Sequence, residues 1–190
     1  KMKVGNKSSR PSARYRKMLL ARRLCEAGCG FVTVHYSGWD MHADGNNPNM
    51  VDGMNMLCPT LDKSVSAFME DCESRGLGEK ILLVITGDFG RTPKVNAGGG
   101  RDHWPRVFSI VMAGGGINRG QVYGSSDGLA AEPKHDPLSV AASANPAYHL
   151  LGIETRKPLM SPCNHPPQDA LNAAGPRGRH SLPPAGGAPG

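Results

Sequence analysis

Residues 80–90, KILLVITGDFG, set the first constraint on the fold. The aliphatic run Ile81–Ile85 leaves no polar face. A strand of this kind is buried on both faces, so the chain is expected to supply layers above and below it. The flanking segments read as such layers. SARYRKMLLARRLCEAGCG has apolar residues at 15, 18, 19 and 24 among strong helix formers, which predicts a helix from about 12 to 27 closed by Gly28. CPTLDKSVSAFMEDCESRG predicts a second helix, with Pro59 in its first turn, an apolar stripe of Leu61, Val65, Phe68 and Cys72, and Gly76 as its stop. FVTVHY at 31–36 and VFSIVMAGGG at 107–116 read as strands, GQVYGSSD as a short further one, and PLSVAASANPAYHLLGI as a last helix broken or started by Pro146. Residues 38–56 and 90–105 read as loops. Alternating helices and apolar strands predict an α/β fold, a mostly parallel sheet flanked by helices on both faces.

Charge separates the ends from the middle. Residues 1–23 carry nine Lys or Arg and no acid, and residues 155–190 carry a net +3; the overall +6 therefore leaves −6 on 24–154. An acidic body lacks the basic face that phosphate neutralisation needs, which argues against nucleic acid as a partner. No apolar run reaches the roughly 18 residues of a membrane span, and no signal segment is visible. The cysteines (25, 29, 58, 72 and 163) form no CxxC pair and read as small hydrophobic residues.

In a parallel sheet, ligands bind beyond the carboxyl ends of the strands. Three chemistry-bearing segments are expected there: GWDMH (38–42), GDFGRTP (87–93) and GRDHWP (100–105). They hold Asp40, His42, Asp88, Arg91, Arg101, Asp102 and His103. Carboxylates and imidazoles from separate loops suit Zn²⁺, Mn²⁺, Ca²⁺ or Mg²⁺, whose charge offsets the repulsion between gathered acids. Arg91 and Arg101 offer bidentate donors of the kind that hold phosphate or sulfate oxygens. Asp102 belongs to the same constellation without an assigned role. AGGGINRG lacks the Lys-Ser/Thr ending of a phosphate loop and reads as a connector, and no GxSxG elbow is present. His35 and His149 read as packed, His135 as exposed, and Met41, Met50, Met54 and Met56 as gap fillers.

LLARRLCEAGCGFVTVHYSGWDMH, LDKSVSAFMEDCESRGL, GDFGRTPKVN and GRDHWPRVFSIVMAGGGINRGQVYG closely resemble the bacterial family known as domain of unknown function 1501, which is sulfatase-like and belongs to the alkaline phosphatase superfamily. The resemblance implies an alkaline phosphatase-like α/β fold and a divalent metal site at its strand ends. It implies hydrolysis of phosphate or sulfate esters, on small molecules or glycans. By motif, Asp40 and His42 resemble a ligand pair, Asp88 the acid of an Asp-His pair, and His103 a late ligand. Phe89 stands where many superfamily members carry the second His, and Asp88 where this family usually carries Glu. The nucleophile would lie upstream, so the chain is expected to be the C-terminal part of the domain: a basic lead-in at 1–11, the domain at 12–153, and a Pro/Gly-rich tail at 154–190. The tail departs from the family pattern, and a shifted reading frame is one expectation for it. Family members often carry an export signal, which implies the cell envelope or beyond. The alternative expectation is a non-catalytic metal-binding or structural module of the same fold.

Overall fold

The structure, a computed structural model, describes residues 11–153. The basic lead-in up to residue 10, the tail 154–190 and Cys163 lie outside the described residues.

Helix α1 spans Pro11–Glu26. It ends where Gly28 takes a φ of 95° and the Cys29 amide returns to the Leu24 carbonyl, a left-handed stop that glycine permits. Helix α2 spans Met50–Ser74. Leu57, Thr60, Ser64, Phe68 and Cys72 recur at intervals of three or four and bury one face. The two helices pack together. Buried Arg22 of α1 forms ion pairs with its neighbour Glu26 and with Asp71 of α2, and Arg75 adds a hydrogen bond to Asp71 at 2.8 Å.

The start of α2 corrects the expected loop at 38–56. Asn49 caps the helix, accepting from the Asp52 amide at 2.9 Å, so the helix begins at Met50 and Pro59 lies in its interior. A good cap and a Met/Leu-rich first stretch outweigh the hydrogen bond that Pro59 cannot make.

Strand β1 (Leu82–Ile85) leads into two two-residue strands, β2 (Gly90–Arg91) and β3 (His103–Trp104), which pair with each other. Strand β4 (Val111–Gly114) then returns antiparallel to β1, with Leu82 opposite Gly114 and Ile85 opposite Val111. Strands β5 (Ser125–Ser126) and β6 (Pro133–His135) form a third antiparallel pair, and helix α3 (Val140–Leu150), capped by Ser139, follows.

The expected mostly parallel sheet flanked by helices is therefore not the observed architecture. Among the described residues there are three helices and only short antiparallel pairs. A parallel pair needs a crossover, usually a helix. Residues 86–110 contain no helix, only the β2–β3 pair, so the chain doubles back on itself. No residue of β1 is buried, contrary to the reading of its apolar run. Residues 31–36 form no strand. Their exposure still alternates, with Phe31, Thr33 and His35 out and Val32, Val34 and Tyr36 turned in, and the Tyr36 hydroxyl donates to the Leu57 carbonyl at 3.1 Å. The pleat's pattern is present without a ladder beside it.

Among the described residues the buried apolar core is small: Ala21, Met41, Leu57, Phe68 and Cys72. His35 and His149, expected to pack, are exposed, and His135 is exposed as expected. No described helix is long and apolar enough to cross a membrane.

Candidate metal centre

Two loops meet over the N-terminal end of α2. The first runs through residues 38–48. Gly38, at φ 102°, lies against the Leu57 methyls, and Met41 is buried against Gly53, where a Cβ would come within 2.6 Å of Met41 Cγ. Asp44 closes the loop by accepting from the Asn46 and Asn47 amides at 2.8 Å each, and these bonds hold its carboxyl below the usual carboxylate range.

The second loop runs from 92 to 103 and is tied to the first through the backbone. The Arg101 amide donates to the Met41 carbonyl at 2.9 Å, and the Met50 amide to the Gly99 carbonyl at 3.0 Å. Asn96 accepts from the Gly98 and Gly100 amides and donates to the His42 carbonyl at 2.8 Å. At Gly100 a Cβ would lie 2.2 Å from the His42 carbonyl carbon, so the approach requires glycine. Pairing of β2 with β3 then sets Arg91 opposite His103.

These contacts bring together three donors. His42 Nε2 and His103 Nε2 are 3.0 Å apart, and each is 3.6 Å from Asp40 Oδ1. Asp102 Oδ1 lies 3.0 Å from His42 Nδ1. Arg91 donates to Asp40 Oδ1 at 2.6 Å and stands 3.3 Å from His42 Nε2. A guanidinium cannot accept, so the network assigns the proton of neutral His42 to Nδ1, donated to Asp102, and the free lone pair to Nε2. The Arg91 hydrogen bond is the main cause that holds the Asp40 carboxyl below its ordinary value. The Phe89 ring packs on His103 with centroids 4.1 Å apart.

The other residues expected at the site take different partners. Asp88 is exposed and accepts from the Phe89 amide at 3.0 Å; it is not one of the gathered donors. Arg101 donates to the Thr92 and Pro93 carbonyls at 2.6 and 2.9 Å and so holds the loop shut. Trp104, next to His103, donates to the Ala131 carbonyl at 2.7 Å and anchors β3 on the turn that joins β5 to β6. Asp102, Asn96 and Gly100 gain roles that spacing did not assign. Only the glycine run 98–100 hinted at the close backbone approach.

The three donor atoms form a triangle with sides of 3.0, 3.6 and 3.6 Å. A point equidistant from its corners lies about 2.0 Å from each, the length of a Zn–N or Zn–O bond. Asp102 behind His42 supplies the carboxylate that commonly orients a ligating imidazole. The donor set thus fits a divalent ion.

A carboxylate and two imidazoles, converging from separate loops and backed by an acid, make up the donor set of a candidate divalent-metal site. The chain belongs to the family described as Protein of unknown function (DUF1501), whose model matches residues 1–169, as the motif resemblance implied. No curated protein and no solved structure matches the chain.

Proposed function

We propose that the chain is a metal-dependent, hydrolase-like domain acting on phosphate or sulfate esters of small molecules or glycans. Asp40, His42 and His103 would hold the ion. The observation that carries the reading is the donor triangle, sized for bonds of about 2.0 Å, with Asp102 behind it. A bound divalent ion supplies a Lewis acid for an ester oxygen. Asp40 binds as a carboxylate, His42 presents Nε2, and Arg91 offers a forked donor to non-bridging oxygens. Arg101 and Asp88 support the loops that carry these groups. The sulfatase-like, alkaline phosphatase-type relationship and a position as the C-terminal part of a larger enzyme domain, exported from the cell, belong to the same proposal.

A second reading, a non-catalytic metal-binding module, is favoured by Phe89. Its ring covers one side of His103, where the superfamily pattern has a further ligand. The Thr92 hydroxyl, one residue beyond Arg91, is engaged by the Lys94 carbonyl and the Asp102 amide.

Metal analysis by mass spectrometry of the full chain loaded with Zn²⁺ or Mn²⁺ tests both readings, beside His42→Ala/His103→Ala. About one ion per chain, lost in the double variant, is expected. No bound ion in the parent would sink both. Turnover of p-nitrophenyl phosphate or sulfate by the loaded chain separates the hydrolase from the module, which would bind the ion and release no nitrophenol.

A further inference from the structure

We infer that Arg91 is the resident counter-cation of the metal site: it holds Asp40 and His42 in the absence of an ion, yields when an ion binds, and only then is free to take an oxyanion. The inference rests on the metal reading above and adds an order of events to it.

Arg91 contacts Asp40 Oδ1 at 2.6 Å and His42 Nε2 at 3.3 Å, two corners of the donor triangle. A neutral imidazole has one lone pair, so Nε2 serves either an N–H donor or an ion. A divalent ion about 2.0 Å from the same corners would also repel the guanidinium at close range. Arg91 and the ion therefore exclude each other from His42 Nε2 and repel each other across Asp40 Oδ1.

The displaced side chain has somewhere to go. Its backbone is fixed by the β2–β3 pair, opposite His103, while the side chain itself is 24% exposed and can rotate without moving the strand. The Phe89 ring centroid lies 5.5 Å from the guanidinium carbon, a second partner already in reach. From there the fork would stand beside the site with its N–H donors released from Asp40 and His42. A tetrahedral oxyanion would bridge the fork and the ion. Metal and oxyanion then bind with positive coupling, and the coupling is reciprocal.

Calorimetric titration of Zn²⁺ or Mn²⁺ into the full-length wild type, Arg91→Met and Arg91→Lys tests this, followed by inorganic phosphate into each metal-loaded protein. Circular dichroism checks that each variant is folded. Removal of a partly exposed charge contact predicts metal binding about two- to fivefold tighter in Arg91→Met. Lys keeps the charge without the fork and should lie between Met and wild type. Phosphate binding to the loaded protein should fall at least about tenfold in Arg91→Met. Metal affinity that is unchanged or weaker in both variants, with clear binding to wild type, would overturn the inference and leave the metal site standing. No metal binding in any of the three would overturn both.

Discussion

Asp102 lies behind the candidate site without joining its donor triangle. Its carboxylate lies 3.0 Å from His42 Nδ1 and so selects which imidazole nitrogen carries the proton. Asn at this position would keep the shape, but its amide end could donate where a proton acceptor is needed. Asp102→Asn is expected to weaken Zn²⁺ or Mn²⁺ binding by about 10- to 100-fold, as losing an orienting partner typically does, without changing the circular dichroism spectrum. Calorimetry reads this directly; unchanged affinity would mean that His42 needs no orienting acid. The same residue marks the limit of what spacing conveys. GWDMH and GRDHWP were legible as segments rich in candidate donors, and Asp40, His42 and His103 do converge. Asp88 and Arg101 have the same chemistry in equally suggestive motifs, yet Asp88 satisfies the adjacent amide and Arg101 the carbonyls of Thr92 and Pro93. Residue type states what a side chain can bind. Which partner it takes is set by contacts between loops, such as Gly100 against His42, that no local pattern encodes.

At the scale of elements, the N-terminal half of α2 carries the most consequence, because it supports both site loops through Met50, Gly53 and Leu57. Its start can be tested with Pro59. Were Pro59 in the first turn, its missing N–H would cost nothing, and Ala would gain little there. In the interior of a helix starting at Met50 it leaves the Asn55 carbonyl without its helical partner. Pro59 is exposed, so Pro59→Ala removes little packing. The substitution is expected to stabilise the protein by about 2–2.5 kcal/mol, the helix gain of roughly 3 kcal/mol being reduced by the freer unfolded chain. Asn49→Ala should destabilise by about 1 kcal/mol through loss of the cap. Thermal melts of the two variants check both signs; a lower Tm for Pro59→Ala would return Pro59 to a helix start. The helix α1 was legible from periodicity and its Gly28 stop. Strand direction was not. An aliphatic run such as Ile81–Ile85 says that a segment suits a sheet, while parallel or antiparallel pairing depends on what the next segment does. Here residues 86–110 build the site loop instead of a crossover helix.

For the whole molecule, the ion pairs and the site draw on one resource, ionised carboxylates. With a core as small as Ala21, Met41, Leu57, Phe68 and Cys72, polar ties carry a large share of the order. Three acids are held below their ordinary value of 3.8: Asp40 by Arg91, Asp44 by the amides of Asn46 and Asn47, and Asp71 by Arg75 and Arg22. A carboxyl with a depressed folded value binds its proton less readily folded than unfolded. Its contribution is therefore complete well above pH 3.8 and is lost as the pH falls through the depressed value. The Tm is thus expected to be insensitive to these groups near neutrality and to fall steeply below about pH 4. Asp71→Asn separates the two places where acid acts. It removes the Arg22–Asp71 ion pair between α1 and α2 and leaves the site loops intact, so it should lower the Tm at pH 7 and flatten its fall between about pH 4 and pH 2. A variant as steep as wild type over that range would place the acid sensitivity in the site loops, with Asp40 and Asp44, and make the α1–α2 ion pairs incidental to stability.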